Sequence, residues 1–444
     1  MRPGSFDPAP LCQPTSAQEL RTALRAPSTH RVLHETVERL LHPGAPALRF
    51  ALQRVKCKPG RKLTLTYDLT VGGSAGRPLT VTWFAPAHAE AALGDADHRL
   101  EDEARRRQVA QPFDRLSTAV PEIGLRIQVS PFDPDFEGLV RLADPAHVST
   151  MLETAIGRRR ARPEVGWVRY RPGQRHVLRY GGSDGQGPIV FAKLHRGDRR
   201  PSVTAEVMAE VLAAAAPAIS AAPMVATVED DGVELWAHEP GTPLSQLICQ
   251  GAPVDVALGR TGTALRRLHE APPRRFGVLP HRDLDGEVRV TRRAAHHVGQ
   301  LLPATGARID EVLDRADADR ATTVPAVVHG DLKADHLLVD GDRLSLVDFD
   351  SCALAEPALD VGKFLADLRY WFATSGRPGI EAAQRAFLLG YWGDPTVPDR
   401  ARSYEAVFLA RAAARRVPLG DDDWETRTSA LADDAGGLLG ERVA

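Results

Sequence analysis

Lysine is nearly missing from this chain. Of 56 lysines and arginines only six are lysine: Lys56, Lys58, Lys62, Lys193, Lys333 and Lys363. Arginine carries the general positive charge, so the few lysines merit inspection, because a guanidinium cannot replace a compact ammonium in a tight site. Cysteine is also scarce. Cys12, Cys57, Cys249 and Cys352 are scattered with no Cys-x-x-Cys pair, which argues against a disulfide framework or a zinc site and fits a reducing cytoplasm. No run approaches the roughly 18 apolar residues of a membrane span; the alanine-rich stretch 211–216 reads as a piece of helix. The first residues, MRPGSFDPAPLCQP, lack an apolar signal core. Net charge is only −2, so no global basic field points to nucleic acid. These absences together lead us to expect a cytoplasmic protein with neither membrane nor nucleic acid as partner, its oligomeric state open.

What is present concentrates in residues 327–350, VVHGDLKADHLLVDGDRLSLVDFD. Two short apolar strands each end on a carboxylate: Val327-Val328 runs into His329-Gly330-Asp331, and Leu344 to Val347 into Asp348-Phe349-Asp350. Leu337-Leu338-Val339 and the turn Asp340-Gly341-Asp342 between them read as a hairpin that can bring Asp331 and Asp348 into one site. Phosphoryl transfer from ATP needs such a pair, one acid to orient and deprotonate the attacking hydroxyl and one to hold magnesium on the phosphates.

This segment resembles the catalytic and metal-binding loops of the aminoglycoside phosphotransferase and choline kinase group, within the protein-kinase-like superfamily. The resemblance implies Asp331 as catalytic base, Asp348 as metal ligand, His329 as a buttress of the loop and Asp360 as a structural brace. It implies ATP and magnesium as cofactors. The family's metal-binding Asn is replaced here by His336, an imidazole that tolerates manganese better than magnesium; Asp335 is an alternative completing ligand. Lys333, two residues after Asp331, either touches the transferred phosphate or is a solvated loop lysine.

Further motifs follow from the same comparison. Residues 167–198 read as three strands, 168–171, 176–180 and 189–194, joined by the Pro172-Gly173 turn and a Gly-rich connector. The third ends Ile-Val-Phe-Ala-Lys, which makes Lys193 the candidate to pair the nucleotide's phosphates; the Gly173 turn would cover the nucleotide. A helix over 203–215 would carry Glu206, or alternatively Glu210, as the partner of Lys193. Trp236 and His238 fall in the stretch resembling the interlobe hinge that holds adenine. Long helices are expected at 258–269, 361–372, 380–391, 402–416 and 425–439. Leu100 to Gln108, with acids followed by Arg105 to Arg107, reads as a solvated helix face. His281-Arg282-Asp283 spells the protein-kinase catalytic triplet, but no apolar strand precedes it and Val288 stands where a metal ligand should; it reads as a polar loop.

The amino-terminal third repeats part of this pattern. Residues 55–67 align with 168–180 at a shift of 113, sharing Val, Pro, Gly, Leu and Tyr, and a third segment aligns Trp83 with Lys193. Such a copy, without catalytic loops, reads as a degenerate small lobe used for packing or substrate binding.

The fold expected is α+β, a bilobal protein-kinase-like architecture, with an N-terminal region at 1–150, a small β-rich lobe at 151–245 and a helical large lobe at 246–444. The activity expected is transfer of the γ-phosphate to a hydroxyl of a small molecule, a sugar or aminoglycoside-like compound by resemblance. Glu356-Pro357 arrives only eight positions after Asp348, too soon for a peptide-binding activation segment. A kinase for Ser/Thr of a peptide natural product and a nucleotide-binding pseudokinase or scaffold are the alternatives.

Overall fold

The computed structural model describes residues 6–73, 76–93, 98–157, 163–181, 188–196, 212, 220–271, 279–317 and 324–440. These fall into two compact units. The first holds residues 1–199, 224–238 and 418–421; the second holds 200–223, 239–417 and 422–444. The N-terminal region and the segment with Lys193 thus share the first unit. The helix expected at 203–215, with Glu206 and Glu210, lies outside the described residues apart from Leu212.

Two five-stranded sheets build the first unit. One is made of β1 (Leu48–Lys58), β2 (Lys62–Val71), β3 (Arg77–Phe84), β4 (Ser117–Val120) and β5 (Leu125–Val129); the other of β6 (Glu164–Arg171), β7 (Arg175–Gly181), β8 (Pro188–His195), β10 (Met224–Val228) and β11 (Val233–Ala237). The intervening β9 (Ser220–Ala221) belongs to the second unit. Strand order is β1-β2-β3-β5-β4 in one sheet and β6-β7-β8-β11-β10 in the other. These are one topology used twice. Both hairpins close at equivalent pairs, Lys58↔Lys62 and Arg171↔Arg175, over left-handed Gly60 (φ 72°) and Gly173 (φ 70°), a conformation that glycine adopts without steric cost. In both, the fourth strand leads through a short 3-10 turn and a left-handed glycine, Gly124 or Gly232, into the fifth.

The strand register corrects one detail of the repeat. Leu63 pairs with Trp83 and Thr64 with Thr82, whereas His176 pairs with Leu194 and Val177 with Lys193. The position of Lys193 is therefore taken by Thr82, not Trp83. The connector before β3 differs in length from that before β8, and a slip of one residue turns a strand's side chains to the opposite face. Trp83 is fully buried in the core, as is Leu194. The helix His98–Arg106 corrects another reading. Glu103 does pair with Arg107 at 2.9 Å, but Glu101 is buried and accepts the backbone N–H groups of Leu116 and Ser117.

Helices dominate the second unit: Leu244–Gln250, Asp255–Glu270, Leu284–Gly299, Pro303–Asp317, Ala358–Ser375, Ile380–Trp392, Asp399–Arg415 and Trp424–Gly440. Their apolar faces, among them Leu258, Leu265, Phe364, Leu368 and Phe387, join one core with Val327, Leu337 and Leu346 from the strands around residues 326–346. That burial, worth about 1.5–3 kcal/mol per large aliphatic or aromatic side chain, anchors the loops that those strands carry. No helix among the described residues is long and apolar enough to cross a membrane.

Candidate active site

Four short strands position the acids. After β12 (Thr242–Pro243), β13 (Ala326–Val328) enters the His329-Gly330-Asp331 loop. A hairpin of β14 (Leu337–Asp340) and β15 (Arg343–Leu346) follows, and β15 delivers Asp348; β16 (Ala353–Ala355) then returns antiparallel to β13. The ladder pairing Leu337 with Leu346 folds the hairpin so that acids 17 positions apart in sequence come together. Ligand atoms of Asp331, His336 and Asp348 all lie within 4.8 Å of one another.

The loop is over-determined. Asp360, fully buried at the start of its helix, accepts the backbone N–H of His329 at 2.7 Å and of Gly330 at 2.8 Å. His269 touches the same carboxylate at 3.3 Å and Tyr391 at 2.7 Å. Burial opposes charge on Asp360, yet its hydrogen bonds to His269 and to the His329 backbone N–H hold the carboxyl below its ordinary value. His329 Nε2 donates to the carbonyl of Val347 at 3.0 Å, tying one loop to the other. Gly330 has φ +73°, and a Cβ there would meet the Ser351 carbonyl oxygen at 2.1 Å; no side chain fits. Asp348 is itself left-handed at φ 67°, a strained position for a non-glycine residue that clusters at functional sites.

Two lysines clamp Asp331. Lys333 Nζ is 3.0 Å from Oδ2 and Lys363 Nζ 3.0 Å from Oδ1. Burial alone would raise this carboxyl, but Lys363 first, then Lys333, hold it far below the carboxylate range. Lys363 comes from the Ala358–Ser375 helix, with its ammonium 4.5 Å from the ring centre of Phe408.

His336 faces Asp348. Its Nδ1 lies 3.0 Å from the carbonyl oxygen of Asp331. A carbonyl only accepts, so Nδ1 carries the proton and Nε2 presents a lone pair. That lone pair is 3.3 Å from Asp348 Oδ2. Burial, and then Lys333, push the imidazole well below its ordinary pKa, so it is neutral near pH 7. Two acceptors thus face each other in a buried place, an arrangement that a cation between them would satisfy. Asp335 does not join them. Its Oδ1 accepts from the Ser245 hydroxyl at 2.6 Å, and the other oxygen lies 3.9 Å from Arg416.

The remaining candidates lie in the first unit. Lys193 sits on β8 with its ammonium 4.9 Å from the ring centre of Trp236. Trp236 belongs to β11, opposite Phe191, and donates to Glu234 at 3.0 Å; His238 stacks on Phe191 at 6.0 Å. Gly173 occupies the expected turn, but its N–H donates to Asp133 at 2.8 Å. That bond ties the turn to the segment before β6. Asp133 also takes Nε2 of buried His176 at 2.7 Å.

A sequence profile described as the phosphotransferase enzyme family matches residues 173–404, just over half of the chain and all of the loops above. The chain belongs to this family. As a phosphotransferase it is similar in fold to a choline/ethanolamine kinase family protein from Mesorhizobium loti, at 16% identity over 66% of this chain and 91% of that one, with a TM-score of 0.43. It is similar to a choline kinase from Cryptosporidium parvum at 11% identity over 67% and 96%, TM-score 0.48. A thermostable mutant of aminoglycoside phosphotransferase APH(4)-Ia gives 14% identity over 66% and 100%, TM-score 0.47. No curated protein matches the chain.

Three groups around the phosphotransferase's loops escaped the sequence reading. Lys363 could have been found from its scarcity, as one of six lysines. His269 had no signal beyond a helix end. Arg282, dismissed with its loop, donates to the Gly330 carbonyl at 2.7 Å and to Glu287 at 2.6 Å. Asp283 is the N-cap of the Leu284–Gly299 helix, accepting from Gly286 at 2.7 Å. The triplet is thus a brace for the His329-Gly330-Asp331 loop.

Proposed function

We propose that this phosphotransferase moves the γ-phosphate of ATP to a hydroxyl of a small molecule, a sugar or aminoglycoside-like compound. The observation that carries the reading is the facing pair of His336 Nε2 and Asp348 Oδ2 beside a lysine-clamped Asp331. One carboxylate and one imidazole fit a divalent ion, and manganese at least as well as magnesium. Such an ion supplies charge neutralisation on the phosphates when bound. Asp331, kept ionised by Lys333 and Lys363, orients the acceptor hydroxyl and takes its proton late, as the phosphoryl group departs its nucleotide. Lys333, with 24% of its side chain exposed, stands beside that carboxylate and is the loop's second cation for a phosphate oxygen. Lys193 is assigned to the nucleotide's phosphates, and Trp236 and His238 to its base, on their strand positions. Glu206 is the proposed partner of Lys193.

The segment after Asp348 supports a small acceptor. It forms a 3-10 turn (Phe349–Ser351) and then β16, whose residues are buried. Glu356 is paired with Arg400 and accepts from the Tyr404 hydroxyl. No extended platform for a peptide is left there. The test is a screen of sugars, aminoglycosides and Ser/Thr peptides with ATP and either metal, read by mass shift. Transfer to a peptide alone would overturn the acceptor class, and metal-dependent ATP binding without transfer to any alcohol would overturn the enzyme reading.

A further inference from the structure

The first unit contains a cavity of about 750 Å³ on the face of the N-terminal sheet. Its floor is the face on which Thr82 lies, and Thr82 holds the register position that Lys193 holds in the second sheet. The duplicated topology has thus kept a concave face and changed its chemistry. Lys62, Arg126 and Arg54 reach the cavity from the first sheet, and Arg171 from the opposite hairpin. Lys62 and Arg126 share one ring, lying 5.7 and 5.8 Å from the centre of Phe84.

Nothing in the described chain answers these charges. Among the described residues no carboxylate lies within ion-pair distance of Arg54, Lys62, Arg126 or Arg171. The two acids at the rim are taken: Asp133 by His176 and the Gly173 amide, Asp135 by Arg196 at 3.2 Å. Burial and then the repulsion of Lys58, Arg61 and Arg126 lower the pKa of Lys62. Burial and then Arg169, Arg54 and Arg175 bring Arg171 down to about 10. Thr80 also lines the cavity, is 6% exposed, and has no hydrogen-bond partner for its hydroxyl. Clustered, partly desolvated cations are costly unless a counter-charge joins them.

We propose that this cavity binds a phosphorylated small molecule carrying at least two negative charges, at a site separate from the phosphoryl-transfer loops. The volume suits it, since small-molecule sites span about 300–1,000 Å³. Guanidinium groups match phosphate in paired hydrogen bonds, and the threonine hydroxyls of the floor supply neutral donors. The proposal does not depend on the acceptor assigned above.

The experiment uses the full-length Asp348→Ala protein without divalent metal, which silences metal-dependent binding at the transfer loops. ADP and inorganic pyrophosphate are titrated calorimetrically, with adenosine as the uncharged control. At least one phosphate probe should bind, adenosine should not, and added salt should weaken the binding. Lys62→Gln/Arg126→Gln in that background should weaken it by about tenfold or more, as loss of charged hydrogen bonds does. Arg171→Gln, on the other hairpin, provides an independent variant if the double one melts early. Tighter ADP than pyrophosphate supports recognition of the attached group, and equal binding supports recognition of phosphate alone. Binding of neither probe, or binding unchanged in the folded variants, overturns the proposal.

Discussion

Lys363 Nζ lies 3.0 Å from one oxygen of Asp331 while Lys333 holds the other at the same distance. The carboxylate has no freedom to rotate, and its ionisation is secured. Lys363→Met should therefore leave nucleotide binding intact and lower kcat by about 10²-fold, the cost of a misplaced reacting group. KM for the acceptor should change little. Lys363→Arg should not rescue, because a planar guanidinium does not reproduce a compact ammonium 3.0 Å from Asp331 Oδ1. Steady-state kinetics with a thermal melt check this; an unchanged kcat in Lys363→Met would sink the positioning role.

Removing the acids themselves separates their tasks. Asp331→Asn keeps the size and loses proton acceptance, so turnover should fall by about 10²–10⁴-fold with ATP still bound. Asp348→Ala should instead abolish metal-dependent nucleotide binding. Isothermal titration and single-turnover assays on both variants decide the assignment.

How legible this was depends on the kind of signal. Asp331, His336 and Asp348 sit at the ends of short apolar strands, and strand-turn-strand order is local, so their meeting could be read from residues 327–350 alone. The duplicated sheet was legible through the hairpin of Pro59-Gly60 and Pro172-Gly173, because turn chemistry survives divergence. Its third strand was not, since register depends on connector length and pairing partners that a local alignment does not see. Lys363 and His269 reach the loop from helices, and Arg282 from the segment before one, 30 to 60 residues away from it in sequence. Contacts of that range come from packing, and nothing in their neighbours' pattern encodes them. The bond from the Gly173 amide to Asp133, 40 residues earlier, is a contact of the same kind.

Arg282 offers a test of that distant support. It links the Gly330 carbonyl to Glu287, a buried acid that burial would raise but that Arg411 and Arg282 hold below its ordinary value. Arg282→Gln should destabilise the protein by about 1–3 kcal/mol, since a charged hydrogen-bond network loses one member while Arg411 remains. It should also lower kcat, through the loosened loop. Glu287's folded pKa is depressed, so its contribution is present above the unfolded carboxyl value and lost as pH falls through the folded one. The variant's deficit in denaturant midpoint should therefore shrink at acid pH.

His336 carries the last prediction. With an ordinary imidazole, activity would fail below about pH 6.5. Burial and Lys333 instead keep this ring neutral well below that value, so its metal-binding lone pair should survive and activity with manganese should persist at pH 6. Stability has the opposite sign. The unfolded chain protonates His336 near its ordinary value while the folded chain does not, so this residue lowers stability as pH falls below about 6.5. His336→Asn should remove that acid slope and shift metal preference towards magnesium, because an amide oxygen is the harder ligand. Denaturant melts and metal profiles of both proteins at pH 5.5 and 7.5 measure the two effects separately. Coincident metal profiles would make His336 a bystander and leave Asp348 to hold the ion with water.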